Sequence, residues 1–181
     1  MSTFDFEHKY QKWLDVFYEK HGYETTRIYG KDNEKYDVLL TKKDKTIKVE
    51  EKGATYFHKD IVIELIQDVQ TNNWGWFFKT EAEAILYFYY HEEEPKVLYR
   101  VIVPYLRRYF KTEAEHNALR LGFTNKHYGL TLNAYAPWDK LVRQGVASQI
   151  WPMFQEQAHC INCGDIPVLK NGLCEHCYGT L

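Results

Sequence analysis

The stretch YDVLLTKKDKTIKVEEK, residues 36–52, places two carboxylates and a lysine where a predicted hairpin would bring them together. Two runs rich in β-branched residues and leucine flank a charged turn of a length common in antiparallel connections. If Thr41 lies opposite Thr46, Asp37 lies opposite Glu50. Like charges directly opposite each other are destabilising unless a cation sits between them. The spacing therefore indicates a site for a divalent cation.

Side-chain alternation predicts which residues share a face of the hairpin with this acidic pair. Successive side chains of a strand point to opposite faces of the sheet. We expect Lys52 on the face of Asp37 and Glu50, and Glu51 on the opposite face, where it would not be a ligand. The apolar face would consist of Val38, Leu40, Ile47 and Val49.

The order of these residues resembles the Asp...(Asp/Glu)-x-Lys signature of the PD-(D/E)XK nuclease superfamily, which includes restriction endonucleases, Holliday-junction resolvases and phage exonucleases. Asp37 is followed, after twelve residues, by Glu50-Glu51-Lys52, and Tyr36 stands where the family motif begins with proline. The resemblance implies that Asp37 and Glu50 hold Mg2+ or Mn2+, together with a backbone carbonyl near Glu51 and several waters. It implies that Lys52 orients or helps to deprotonate the attacking water, or stabilises the transition state, while the cation polarises the phosphate.

Three other side chains are candidates to complete this site. Several resolvase-like members carry a glutamate on the first helix, and Glu7 is the corresponding residue of this chain. Glu64 and Gln67, from a second predicted helix, are its rivals. A solvated helix face is the alternative interpretation for each of the three.

The superfamily core runs helix, three strands, helix, strand, and residues 1 to about 90 can be interpreted in that order. Apolar residues at helical spacing predict the first helix in FDFEHKYQKWLDVFYEKHGY, and ETTRIYG predicts the first strand. KDIVIELIQDVQ favours the second helix, although its alternation also permits a strand. The later predictions are strands in WGWFFKT, EAILYFYYHE and KVLYRVIVPYL, and a helix at residues 139–150. The expected fold class is α/β, more strictly α+β, with a restriction endonuclease-like core.

All four cysteines lie near the C-terminus, in two C-x-x-C pairs separated by ten residues. Four thiolates in two such pairs suit a tetrahedral zinc ion, and the spacing resembles a short zinc ribbon. Disulfides are the alternative, but nothing in the sequence suggests secretion. We therefore expect a structural Zn2+ site, with His159 and His176 as adjacent substitutes. Its expected ligands are Cys160, Cys163, Cys174 and Cys177.

Positive charge is concentrated in one segment of a chain whose net charge is −2. Residues 1–95 carry 13 Lys and Arg against 19 Asp and Glu, whereas residues 96–126 carry 7 against 2. Interleaved tyrosines and cations can track a phosphate backbone. An ordinary solvated face is the alternative interpretation. The candidate nucleic-acid contacts are Arg100, Arg107, Arg108 and Lys111, among Tyr99, Tyr105 and Tyr109.

The chain length and composition fit one catalytic-sized domain with a small appendage. With 181 residues, 45% of them hydrophobic, the chain can bury a sizeable core. We place the nuclease-like domain at residues 1–150 and the linker and zinc ribbon at residues 151–181. No long apolar run or leader is present, so we expect a cytoplasmic protein of phage or bacterial origin that does not bind membranes.

The expected function is metal-dependent hydrolysis of phosphodiester bonds in DNA, by an endonuclease or alternatively an exonuclease. DNA is the expected partner, and a protein partner bound through the ribbon and a homodimer are further expectations. Two alternatives remain open at this stage. In the first, the chain is a nucleic-acid-binding module that has kept the nuclease fold and lost catalysis. In the second, it is a protein-interaction module that docks a partner through the ribbon.

Overall fold

The computed structural model describes residues 3–30, 35–54, 57–91, 94–126 and 129–152, apart from the side chains of residues 3–9, 90, 91, 94–96, 151 and 152. Within these ranges the chain has a mixed α+β fold in which most of the regular structure is sheet. The helices are α1 (Thr3–Lys20), α2 (Trp76–Lys79), α3 (Val103–Glu115) and α4 (Trp138–Arg143). The strands are β1 (Glu24–Arg27), β2 (Val38–Lys42), β3 (Lys45–Ala54), β4 (Asp60–Asp68), β5 (Asn73–Trp74), β6 (Ala84–His91), β7 (Glu94–Ile102), β8 (Arg120–Lys126), β9 (Gly129–Pro137) and β10 (Ala147–Pro152).

The described strands form two sheets. The larger has six strands in the order β1-β2-β3-β6-β7-β10, and the smaller has four in the order β5-β4-β9-β8. Neighbouring strands pair antiparallel except β3 and β6, which are parallel. Parallel neighbours need a long crossover connection. Here that connection contains β4, β5 and α2, so the second sheet begins between two adjacent strands of the first.

Each face of the six-stranded sheet is covered by a separate hydrophobic core. On one face, Leu14 and Tyr18 of α1 pack with Val38, Val49 and other buried residues of the sheet. The opposite face packs against the four-stranded sheet, α3 and α4 in a larger, aromatic-rich core. The six-stranded sheet is thus buried on both sides. A polar side chain on its inner face therefore lies between the two sheets.

Local sequence explains why α1 covers the first face. Its apolar residues recur at helical spacing, and four of them are buried against the sheet. The helix is followed by Gly22, at a φ of +74°, before β1 begins. The predicted first helix is confirmed. Among the side chains of α1 that the structure describes, the buried apolar ones are Tyr10, Leu14, Phe17 and Tyr18.

The prediction of a second helix in KDIVIELIQDVQ is wrong, because residues 60–68 form strand β4. Ile61 and Ile63 are fully buried while Val62 between them is not, which is the alternation of a half-buried strand. β-branched residues favour this conformation, and antiparallel pairing with β9 stabilises it. The element order after β3 therefore departs from the expected helix, three strands, helix, strand.

Three later predictions are also corrected or refined. A strand is predicted in WGWFFKT, but strand β5 ends at its first residue, Trp74, and the single-turn helix α2 begins at Trp76. The strand in KVLYRVIVPYL ends at Ile102, and α3 follows with proline in its first turn. The helix predicted at residues 139–150 ends at Arg143, because Gly145 adopts a φ of +69° and β10 begins at Ala147. The strand predicted in EAILYFYYHE is confirmed as β6.

The expected zinc ligands Cys160, Cys163, Cys174 and Cys177 lie outside the described residues, as does the expected appendage beyond residue 152. The boundary between the two predicted domains therefore stays a prediction. Among the described helices, none is long and apolar enough to cross a membrane.

Candidate active site

The hairpin of β2 and β3 has the register that the sequence predicts. Thr41 pairs with Thr46, and Val38 pairs with Val49. Asp37 directly precedes β2, and its backbone N–H donates to the Val49 carbonyl at 3.0 Å. The carboxylates of Asp37 and Glu50 therefore lie next to each other on the inner face of the large sheet.

Lys52 supplies a positive charge to this acidic pair. Its Nζ lies 2.5 Å from Oε1 of Glu50, whose side chain is almost completely buried. Burial raises the pKa of Glu50, the Lys52 ammonium opposes that shift, and the Asp37 carboxylate adds to it, so the pKa lies above its usual value. The repulsion inferred from the sequence is present. The Lys52 ammonium partly neutralises it.

The ammonium form of Lys52 is strongly favoured. Burial lowers its pKa, but the carboxylates of Glu50, Asp37 and Glu64 outweigh that effect and raise the pKa above its usual value. The Nζ atom also lies 5.3 Å from the centroid of the Trp76 ring, an arrangement in which the ring face attracts a cation. Lys52 is therefore a charged hydrogen-bond donor at neutral pH rather than a free base.

Glu51 points to the opposite face of the sheet, as predicted, and holds the hairpin against α1. Its Oε1 accepts a hydrogen bond from Tyr18 at 2.7 Å, and its Oε2 pairs with Arg27 Nη1 at 2.5 Å. Arg27 also pairs with Asp15 of α1 at 2.7 Å. The backbone N–H of Glu51 donates to Oδ2 of Asp37 at 2.6 Å. The side chain of Glu51 thus ties β3 to α1 and Arg27 on one face of the sheet. Its backbone N–H orients the Asp37 carboxylate on the other face.

We expect Glu51→Gln to destabilise the fold substantially, because the amide leaves Arg27 without its buried counter-charge. Breaking a buried ion pair costs roughly 3–5 kcal/mol, and the remaining contact with Asp15 should keep the loss near the lower end. Urea unfolding measures the change. The matched control is Glu81→Gln, which removes exposed pairs with Lys35 and Lys48 and should cost much less. Equal losses in the two variants would refute the role of this buried pair.

A loop that contains Thr80 closes one side of the site. The Thr80 hydroxyl donates to the Lys35 carbonyl at 2.8 Å and lies 3.5 Å from Oε2 of Glu50. The Thr80 carbonyl accepts from Nη2 of Arg107 at 2.7 Å. Arg107 therefore connects α3 to the loop that supports Glu50. Arg107 thus has a structural role, because it fixes the position of the Thr80 loop beside Glu50.

The four candidate phosphate contacts do not form a single surface. Arg107, Arg108 and Lys111 lie on α3, which packs on the inner face of the large sheet. Arg100 follows Leu98 by two residues on β7, and Leu98 faces the α1 core. Arg100 therefore lies on the opposite face of the sheet from α3. Of the three interleaved tyrosines, Tyr99 and Tyr109 are buried in the core, and Tyr105 is exposed.

The structure separates the three candidates for an additional ligand. Glu7 lies on α1, and its side chain is outside the described residues. Glu64 lies on β4 and is close enough to Lys52 to raise its pKa. Gln67 instead accepts a hydrogen bond from Asn73 at 3.1 Å. Of the described candidates, Glu64 is therefore the one whose charge acts on Lys52, and it lies on a strand rather than on a helix.

Two site residues, Trp76 and Thr80, were not identified from the sequence. The available signal was Gly75, between two tryptophans. A Cβ atom at this position would lie 2.3 Å from the Glu64 carbonyl oxygen, so only glycine allows this backbone contact. The contact places α2, and hence the Trp76 ring, against β4 and the candidate site.

Within the described parts of the chain, no group of three or more His, Cys, Asp or Glu side chains is arranged to hold a metal ion. A pair of carboxylates nevertheless fits a hard cation such as Mg2+, which keeps several water ligands in protein sites. Comparison with protein-family models, curated proteins and solved structures finds no match.

Proposed function

We propose that this protein is a metal-dependent nuclease that hydrolyses phosphodiester bonds of DNA. The observation that carries the proposal is the placement of Asp37 and Glu50 side by side on the inner face of the sheet, with Lys52 on the same face. Burying a carboxylate beside another is unfavourable, as the raised pKa of Glu50 indicates. Such perturbed groups are concentrated at functional sites. The same three residues carry the resemblance to the PD-(D/E)XK superfamily.

In this mechanism the carboxylates of Asp37 and Glu50 would hold Mg2+ or Mn2+. The bound cation supplies charge stabilisation to the scissile phosphate and activates water at neutral pH. Oδ2 of Asp37 accepts a hydrogen bond from the Glu51 N–H, which would hold this carboxylate in place for the cation. Glu64 would contribute a further carboxylate, directly or through water.

Lys52 would have two successive roles. Without metal, its ammonium neutralises Glu50. With a divalent cation held by the two carboxylates, the Lys52 ammonium would be able to donate a hydrogen bond to the attacking water or to a phosphate oxygen. The Trp76 ring would keep it near the reacting atoms. The charged form is the one needed to stabilise negative charge that develops on the phosphate.

The direct test is incubation of the purified protein with plasmid, single-stranded and branched DNA, with and without Mg2+ or Mn2+. Divalent-dependent cleavage of any of these substrates supports the proposal. The Lys52–Glu50 pair favours a second candidate, an inactive nucleic-acid-binding module, because the ammonium already provides a counter-charge for one of the two carboxylates. DNA retention that weakens steeply with salt, without cleavage under any condition, would select that candidate.

The C-terminal cysteines give a separate prediction about zinc. Purified protein should carry about one zinc ion per chain, because two C-x-x-C pairs supply four thiolates to a closed tetrahedral site. Cys163→Ser should lose the metal, and the region after about residue 155 should become sensitive to protease while the remainder stays folded. Metal analysis and limited proteolysis measure these effects. A zinc content near zero, together with an absence of free thiols, would indicate disulfides instead.

A further inference from the structure

Two exposed aromatic rings lie beside the candidate active site. Trp74 of β5 is 51% exposed, and Phe78 of α2 is 54% exposed. Their centroids are 5.1 Å apart, and the ring planes are inclined at 75°. Together with Lys79 they line a shallow open depression. Two adjacent exposed rings forgo the hydrophobic free energy of burial, which is typical of a surface that contacts a ligand or a partner.

The backbone fixes the position of these rings relative to the active site. Trp74 pairs with Ile66 of β4, two residues from Glu64. The Gly75 N–H donates to the Leu65 carbonyl at 2.8 Å. The next residue, Trp76, has its ring against Lys52. Trp74 and Phe78 lie two residues before and two residues after Trp76, so a strand of nucleic acid that contacts Lys52 would pass close to both rings.

Polar groups beside the rings match the chemistry of a nucleotide. Lys79 Nζ donates to the Asn73 side chain at 3.1 Å, and Asn73 Nδ2 donates to Gln67 at 3.1 Å. Ring faces stack on nucleobases, an ammonium pairs with phosphate, and amides can bond base edges. Bases inside a duplex are already stacked on each other. Only an unpaired base can present its face to Trp74 or Phe78.

We propose that Trp74 and Phe78 form a stacking platform for an unpaired base of the strand bound in the active site. The preferred substrate is then single-stranded DNA, or duplex DNA with a frayed or flapped end, rather than closed duplex. The inference rests on the proposed nuclease function, because the two rings flank Trp76, whose own ring lies against Lys52 of that site.

Binding of fluorescein-labelled single-stranded and duplex oligonucleotides tests the platform, measured by anisotropy in an Asp37→Asn background so that no cutting occurs. We expect tighter binding of the single strand. Trp74→Ala and Phe78→Ala should each weaken it by roughly ten-fold or more, with little effect on duplex binding. Trp74→Phe should retain most of the affinity. The matched control is Phe123→Ala, which removes a 63% exposed ring from β8. This strand lies at the opposite edge of the four-stranded sheet from β5.

Two outcomes would overturn the platform. One is a loss of single-strand affinity no larger in Trp74→Ala than in Phe123→Ala. The other is a DNA-free dimer in sedimentation velocity that Trp74→Ala dissociates, because the rings would then contact a second copy of the chain. Cleavage assays separate this inference from the proposed function. Platform-dependent binding by a parent protein that cuts no DNA in Mg2+ or Mn2+ would support the platform and contradict the nuclease proposal.

Discussion

Lys52→Ala is expected to lower the rate of DNA cleavage by roughly 10²- to 10³-fold, the range typical of removing one preorganised donor that stabilises developing negative charge in the transition state. The structure adds an effect on stability. Without the ammonium, Glu50 remains buried beside Asp37 and loses its pairing with Lys52. The metal-free variant should therefore unfold at a lower temperature than the parent. Added Mn2+ should raise its Tm more than it raises the Tm of the parent.

The control for this variant is Lys48→Ala. Lys48 lies on the same face of β3, but it pairs with Glu81 and stacks over Tyr36 instead of contacting Glu50. Its loss should leave the single-turnover cleavage rate within a few-fold of the parent. If Lys52→Ala cuts DNA as fast as Lys48→Ala, the catalytic role of Lys52 is wrong.

Asp37→Asn is expected to remove divalent metal binding while the fold is retained. The asparagine carbonyl can still accept the hydrogen bond from the Glu51 N–H, so the hairpin keeps its register. The lost charge is a metal ligand, and removing even the outer partners of metal ligands costs 10- to 100-fold in affinity. We expect Mn2+ affinity to fall by more than about 100-fold, with cleavage falling in parallel. Electron paramagnetic resonance of free Mn2+ measures the binding.

The same substitution should leave the metal-free protein at least as stable as the parent, because it removes the repulsion between Asp37 and Glu50. Asp44→Asn is the matched control, since Asp44 lies in the exposed turn of the same hairpin. It should change neither Mn2+ affinity nor cleavage. Unchanged Mn2+ affinity in Asp37→Asn would show that the cation, if any is bound, is held elsewhere.

Short-range patterns made the hairpin predictable from the sequence. A short charged turn and the alternation of Ile47, Lys48, Val49 and Glu50 favour one register, which buries Val38 and Val49. That register places Asp37, Glu50 and Lys52 on one face and Glu51 on the other. The first helix was equally predictable, because its apolar stripe recurs through Tyr18.

The second sheet was not predictable in the same way. Ile61, Leu65 and Val69 fit a helical stripe, while Ile61 and Ile63 fit strand alternation, and local sequence does not decide between them. Pairing with β9, about 70 residues later in the chain, stabilises the strand. Trp76 and Thr80 reach the site only through that long-range arrangement. Their contribution therefore could not be inferred from spacing along the chain.

The most direct test of the nuclease proposal is the recovery of DNA cleavage after metal removal. Mild chelation should remove a weakly held Mg2+ from two carboxylates before it removes zinc from four thiolates, so cleavage should stop while zinc remains bound. Added Mg2+ or Mn2+ should then restore cleavage in the parent and not in Asp37→Asn, whereas Ca2+ should support DNA binding with little cutting. Recovery with zinc alone would place the catalytic metal at the cysteines or adjacent histidines. It would contradict the assignment of Asp37, Glu50 and Lys52.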